Sequence, residues 1–193
     1  LRDICVIAVP NSIEALGDIA HFHRLRFDIP LIGITGSNGK TTTKEMIASI
    51  LSKRFNILKN FGTENNRIGV PLTLMRLKSE HKITILEMGT NHLGEIRRLS
   101  EIARPTVAVI TNIGPSHLEY LKDTDTVLKS KAEILECLDK DARVVINGDD
   151  DSLKGLKTDF KMTKFGLNKK CDFYAEDVNI EADGISFRLN GAH

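Results

Sequence analysis

The tightest constraint on this chain is the junction at residues 31–43. Leu31-Ile32-Gly33-Ile34-Thr35 is a short apolar run that passes without a linker into Gly36-Ser37-Asn38-Gly39-Lys40-Thr41-Thr42-Thr43. Such a run fits a buried parallel strand. Residues 41–53 then carry Met46, Ile47, Ile50 and Leu51 at helical spacing, so a helix follows. A glycine-rich loop between strand and helix is the setting in which phosphate is held. Glycines let backbone N–H groups turn inward around an anion without Cβ clashes. The helix N-terminus adds partial positive charge. Lys40 supplies a mobile cation for β- and γ-phosphates, and Thr41 or Thr42 a hydroxyl for Mg²⁺. The spacing is a shortened form of G-x-x-x-x-G-K-[ST]: Ile34, flanked by Gly33 and Gly36, stands where the first glycine is usual. Gly36, Ser37, Asn38, Gly39, Lys40, Thr41 and Thr42 are therefore ATP-binding candidates. The plain alternative is a glycine turn bearing a solvated lysine.

The alternation continues along the chain. Residues 83–87, 107–111 and 143–147 read as strands, and residues 11–26, 93–103 and 124–138 as helices. In the first of these helices Ile13, Leu16, Ile19, Ala20 and Phe22 or His23 form the apolar stripe; in the last it is Val127, Leu128, Ala132, Leu135 and Leu138. This pattern predicts an α/β fold: a mostly parallel, P-loop-type sheet with helices on both faces. At about 171–190, apolar residues around Asp183-Gly184 predict a small antiparallel β-hairpin appendage. The expected organisation is a linker and leading helix at 1–30, followed by one ATP-binding domain at 31–193. Because the chain begins at Leu1 and closes on Gly191-Ala192-His193, it reads as a piece of a longer protein.

Bulk properties narrow the function. With 27 basic and 26 acidic residues the net charge is +1, which argues against a general nucleic-acid or membrane surface. No apolar run reaches the length of a membrane span. Cys5, Cys137 and Cys171 are too far apart in sequence to suggest a zinc site or a disulfide framework, and fit reduced thiols in a cytoplasmic protein. A monomer is expected.

Ligands of open parallel sheets gather at the C-terminal strand ends, and three polar residues fall there: Glu87, His117 and Asn147. Each alone has a bland reading, as a solvated cap, an exposed histidine or ordinary turn chemistry. Together, beside a phosphate loop, they suggest metal- and base-binding groups. His117 is an unusual partner for Mg²⁺, which prefers oxygen. Lys131, close to Lys129, reads from periodicity as part of a solvated face.

Several separated stretches resemble the Mur ligases of peptidoglycan synthesis. They are residues 34–46, Asn65-Asn66-Arg67-Ile68-Gly69-Val70-Pro71-Leu72-Thr73-Leu74, Glu87-Met88-Gly89-Thr90-Asn91-His92-Leu93-Gly94-Glu95-Ile96, residues 110–119 and Lys129-Ser130-Lys131-Ala132-Glu133-Ile134. The resemblance covers most of residues 31–150. It implies the central ATPase domain of a three-domain enzyme, with the N-terminal UDP-sugar domain and the C-terminal domain outside this chain. It also implies ATP-dependent formation of an acyl phosphate on a carboxylate, and attack on it by an amine. In the branch whose segments match best, the substrates are UDP-MurNAc-tripeptide and D-alanyl-D-alanine. By position, the resemblance implies Lys40 at the γ-phosphate, Thr41 or Thr42 on a first Mg²⁺, and Glu87 and His117 on a second. It further implies Lys131 as a carbamylated ligand, Asn147 at adenine, and Asn65 and Asn66 facing the sugar-peptide. Lys129 fits the modified position loosely as well. Lys40, Lys131 and His117 are thus the catalytic candidates. Another ligase of the family, and a nucleotide-binding switch without ligase chemistry, remain as alternatives.

Overall fold

The computed structural model describes residues 5–62, 64–115 and 123–191. Among them, the strands form one eight-stranded sheet in the order β2-β3-β1-β4-β5-β6-β7-β8. The strands are β1 (Leu31–Thr35), β2 (Ile57–Lys59), β3 (Ile83–Glu87), β4 (Val107–Ile110), β5 (Arg143–Asn147), β6 (Lys161–Gly166), β7 (Phe173–Glu181) and β8 (Gly184–Gly191). All neighbours are parallel except the β7–β8 hairpin. The hairpin continues the main sheet, because Phe165 and Gly166 of β6 pair with Phe173 and Tyr174 of β7.

The helices are α1 (Ser12–Arg24), α2 (Lys40–Leu51), α3 (Gly69–Leu74), α4 (Glu95–Ala103), α5 (Thr124–Ala132) and α6 (Asp151–Lys154). Two apolar clusters lie on the two faces of the sheet, as alternation along each strand requires. Ile34, Ile85 and Val109 meet Ala48 of α2 on one face. Leu31, Leu86, Ala108, Ile110, Val144 and Ile146 meet Ala20, Val70, Leu99, Ile102 and Val127 on the other, which α1, α3, α4 and α5 cover.

Two expected helix faces are rotated from where the apolar residues alone put them. In α2, Met46 is 60% and Ile50 70% exposed, while Lys44 and Ala48 are buried and Ile47 and Leu51 half-buried. The sheet-facing positions are 44, 47, 48 and 51, a regular helical stripe containing a lysine. In α1, Ile19 and Phe22 are exposed and the buried residues are Gly17, Ala20 and Arg24. Gly17 lets Ile102 of α4 approach so closely that a Cβ would lie 2.8 Å from its Cδ1. Arg24 donates to the Ala103 carbonyl at 3.1 Å and to the Ile29 carbonyl at 2.9 Å, so its burial is satisfied by backbone acceptors.

The expected helix at 124–138 stops at Ala132 and tightens into a 3₁₀ turn, Glu133–Leu135. The expected helix at 93–103 starts two residues later, since Gly94 adopts φ +85° and cannot join it. Three elements without a strong local signal also appear. β2 has only three residues, β6 carries Lys161 and Lys164, and α3 contains valine, proline and threonine. The start of α3 is fixed by Asn66, whose Oδ1 accepts from the Ile68 and Gly69 amides, both at 3.0 Å.

Candidate functional site

Strand order makes the site. From β1 the chain runs to β2 and β3 on one side and later to β4 on the other, so β1 is flanked by β3 and β4. The C-terminal end of β1 is the switch point at which open sheets of this kind bind ligands. The segments after β1, β3 and β4 converge there.

The loop after β1 is stitched to the segment after β4. The Ser37 amide donates to the Asn112 carbonyl at 3.0 Å, and the Asn38 amide to Asn112 Oδ1 at 2.9 Å. Thr111 Oγ1 donates to the Asn38 carbonyl at 2.6 Å. Gly36 lies so close to this segment that a Cβ would sit 2.1 Å from Thr111 Oγ1, and its φ is +141°. Ser37 and Asn38 therefore spend their amides on shaping the loop. The amides that open α2 are different: Gly39, in the left-handed conformation at φ +76°, provides no capping side chain. The first-turn N–H groups of α2 are left to face the loop mouth, a ready anion site. Gly36→Ala is expected to cost about 1–3 kcal/mol from backbone strain alone, and more from the clash. A thermal melt with Mg-ATP titration would show a lowered midpoint and lost nucleotide binding; a wild-type melt and affinity would refute the requirement.

The Lys40 ammonium folds back over the loop and donates to the carbonyls of Gly36 at 2.9 Å and Ser37 at 3.0 Å. Burial lowers its pKa, and the charge of Glu87 opposes that shift. Glu87, 2% exposed, ends β3 on the same face as Ile83 and Ile85, and so points towards α2. Its Oε2 accepts from the Thr41 hydroxyl at 2.7 Å and its Oε1 from Asn65 Nδ2 at 2.8 Å. This pair of hard oxygen donors at a phosphate loop suits Mg²⁺, which takes few protein ligands and completes its shell with phosphate and water. Among the described residues no group of three or more His, Cys, Asp and Glu side chains forms a metal cluster. His117 lies outside the described residues.

Lys131 is buried, 1% exposed, whereas Lys129 is exposed. The reading of Lys131 as part of a solvated face is thereby corrected: α5 turns it inward beside the loop. Its pKa falls to about 8, chiefly through burial and further through repulsion from Lys40; Glu133 and Glu95 pull the other way. Asn147 ends β5, one strand beyond β4, and its Oδ1 accepts from the Asp149 amide at 3.0 Å. Asn65 and Asn66 line a cleft of about 150 Å³ together with Gly89, Thr90, Asn91 and Glu95. A roomier crevice of about 500 Å³, with Arg24, Pro30, Arg104 and Thr106 in its wall, opens at the N-terminal strand ends and is remote from this chemistry.

Two residues of the site escape a reading of the sequence. Lys44 is fully buried on α2, donates to the Asn60 carbonyl at 2.8 Å and lies 4.0 Å from Glu87 Oε2. Asn60, also fully buried, brackets Glu87: its Oδ1 accepts from the Glu87 amide and its Nδ2 donates to the Glu87 carbonyl, both at 3.0 Å. The side-chain amide thus extends the pairing of β2 with β3 by one residue and fixes where the carboxylate points. Lys44 had a detectable signal, since it completes the stripe with 47, 48 and 51. Asn60 had none, because its partner is 27 residues away.

The sequence and fold are similar to those of known proteins. A family profile described as "Mur ligase middle domain" matches residues 34–192. The UDP-N-acetylmuramoyl-tripeptide–D-alanyl-D-alanine ligase of Bacillus subtilis (strain 168) is 37% identical over 186 residues, covering 96% of this chain and 40% of that protein. A crystal structure of MurF from Acinetobacter baumannii superposes with a TM-score of 0.90 at 33% identity, covering 96% of this chain and 41% of that one. The crystal structure of MurF ligase from Thermotoga maritima in complex with ADP superposes with a TM-score of 0.90 at 28% identity, covering 99% and 45%. The chain thus spans about two fifths of the length of the curated relative.

Proposed function

The chain belongs to the Mur ligase family, and from that premise we propose that it is the ATP-binding core of a ligase that joins D-alanyl-D-alanine to UDP-MurNAc-tripeptide in the cytoplasm. The observation that carries the reading is the convergence of Lys40, Thr41, Glu87 and buried Lys131 at the C-terminal end of β1. Similarity to the B. subtilis ligase of that name supplies the substrates.

In this reading a carboxylate oxygen of the tripeptide attacks the γ-phosphorus of ATP, and the bond to the β-phosphate oxygen breaks to release ADP. The amine of D-alanyl-D-alanine adds to the acyl carbon of the acyl phosphate. The tetrahedral intermediate expels inorganic phosphate and the nitrogen loses its proton, leaving the amide. The chain's task is positioning and electrostatics. The first-turn amides of α2 bind phosphate oxygens, and Lys40 exchanges its two carbonyl partners for the γ-phosphate as charge shifts towards ADP. Thr41 and Glu87, with Lys131 as a carbamate and His117, would hold two Mg²⁺ ions, which neutralise phosphate charge when bound. A carbamate forms when the neutral Lys131 amine adds to CO₂ and loses a proton, turning a cation into an anionic oxygen ligand. Asn147 is assigned to adenine, and Asn65 and Asn66, which line the cleft, to the sugar-peptide.

The test is phosphate release by the intact protein with Mg-ATP, UDP-MurNAc-tripeptide and D-alanyl-D-alanine, alongside detection of the amide product. Turnover that requires both co-substrates is expected. ATP hydrolysis indifferent to them would replace the ligase with a nucleotide switch.

A further inference from the structure

Glu133 is a buried carboxylate to which the ligase reading gives no task. It lies on the 3₁₀ turn after α5, two residues beyond Lys131, and is 7% exposed. Its side chain reaches across to α4. Oε1 accepts from the Gly94 amide at 2.6 Å and Oε2 from the Arg97 amide at 3.2 Å. α4 opens behind Gly94, which offers no capping side chain. Glu133 supplies that cap from another element, where the helix end also favours negative charge. A second tether runs parallel to it: Ser100 Oγ of α4 donates to the Ile134 carbonyl at 2.9 Å.

The first turn of α4 is tied onward to the cleft. Glu95 Oε2 accepts from the Asn91 amide at 2.8 Å, the His92 amide at 3.1 Å and the Thr90 hydroxyl at 3.0 Å. A continuous set of bonds therefore leads from the turn behind Lys131, through α4, to the loop that walls the cleft with Asn65 and Asn66. Both carboxylate oxygens of Glu133 are engaged by backbone amides, so it holds elements together and leaves ligand contact to others.

We propose that Glu133 is a positioning residue that keeps the helix end bearing Lys131 and the cleft loop at 90–92 in one fixed register. The catalytic consequence rests on the ligase reading; the mechanical consequence does not. Removing Glu133 leaves two buried-end amides of α4 uncapped and lets the two walls of the site shift independently. Gln preserves the reach and one acceptor oxygen, but its NH₂ group cannot accept from the second amide.

The experiment uses Glu133→Ala and Glu133→Gln in the intact protein, with steady-state kinetics and amide hydrogen exchange. The Ala variant is expected to lose about 10- to 100-fold in kcat, with KM for ATP within about twofold of wild type and Gln intermediate, as outer-shell losses do. Exchange should accelerate together in segments 90–97 and 127–133. Wild-type kcat in a folded Ala variant, with faster exchange confined to 94–97, would overturn the proposal. Should Ala fail to fold, Gln decides by the same exchange pattern. Should the wild type itself form no amide bond, the ligase reading falls, and the exchange pattern still judges Glu133: joint acceleration upholds the coupling and confined acceleration ends it.

Discussion

Lys40→Ala is expected to abolish detectable Mg-ATP binding by calorimetry and to cut ligation by about 10²- to 10³-fold, the usual consequence of losing one preorganised charge at a reacting centre. The ammonium already lies inside the loop, held by the Gly36 and Ser37 carbonyls at 2.9 and 3.0 Å. Those two neutral acceptors are weaker partners than a γ-phosphate, so little reorganisation is needed when the nucleotide arrives. Burial lowers the pKa of Lys40, and Glu87 counteracts it, which favours the charged form the task requires. The fold should tolerate the change, because the alanine replaces a half-buried cation whose carbonyl partners lie at the loop mouth. An unaltered melting curve with lost binding is therefore the expected pair of results. Lys40→Arg should rescue poorly, since a planar guanidinium cannot take the same folded-back path. Wild-type ATP affinity in Lys40→Ala would sink the phosphate-loop reading.

Lys131→Ala is expected to abolish ligation in the intact protein, with partial recovery on adding a short carboxylate such as formate, while the exposed Lys129→Ala behaves as wild type. Proton affinity decides whether the modification can form. Carbamylation needs the neutral amine, and with a pKa of about 8 roughly a tenth of Lys131 is neutral at pH 7, against about 0.04% for an ordinary lysine. At fixed dissolved CO₂, occupancy should rise with pH, more steeply below about 8 than above it, because the ammonium must first lose a proton and the carbamate then releases another; the ¹³C signal of protein treated with labelled bicarbonate follows it. The stability sign follows from the same shift. The unfolded lysine keeps its proton to about pH 10.4, the folded one only to about 8. Between those values the unfolded chain binds more protons, so this group makes the unmodified fold more stable as pH rises, and its penalty is fully present below pH 8. Full activity of Lys131→Ala, or a change of slope only near the pKa of a free lysine, would remove the carbamate from the mechanism.

Much of this was legible in residue order, and the reason is locality. A strand of apolar residues, a glycine at φ +141° and a lysine at a helix start are interactions within a few neighbours, so residues 31–43 announce strand, loop and helix together. Glu87 was readable as a strand end for the same reason. What the apolar pattern put wrongly was the buried face of α1 and α2. Met46 and Ile50 look more apolar than Lys44, yet Lys44 is inside, because the sheet face it meets ends in a carboxylate. The strands at 57–59 and 161–166 were invisible because their stability comes from pairing with β3 and β5, not from their own composition.

The sequence by itself determined the alternation of elements, the glycine-rich loop between β1 and α2, and the family, since these rest on short-range periodicity and on motifs of fixed spacing. Only the tertiary structure decided that Lys131 rather than Lys129 is buried beside Lys40, that Asn60 brackets Glu87, and that Glu133 caps a helix 36 to 39 residues away in the chain. Burial and hydrogen-bond partnership are properties of how β1 comes to lie between β3 and β4, and no short stretch of chain contains that information.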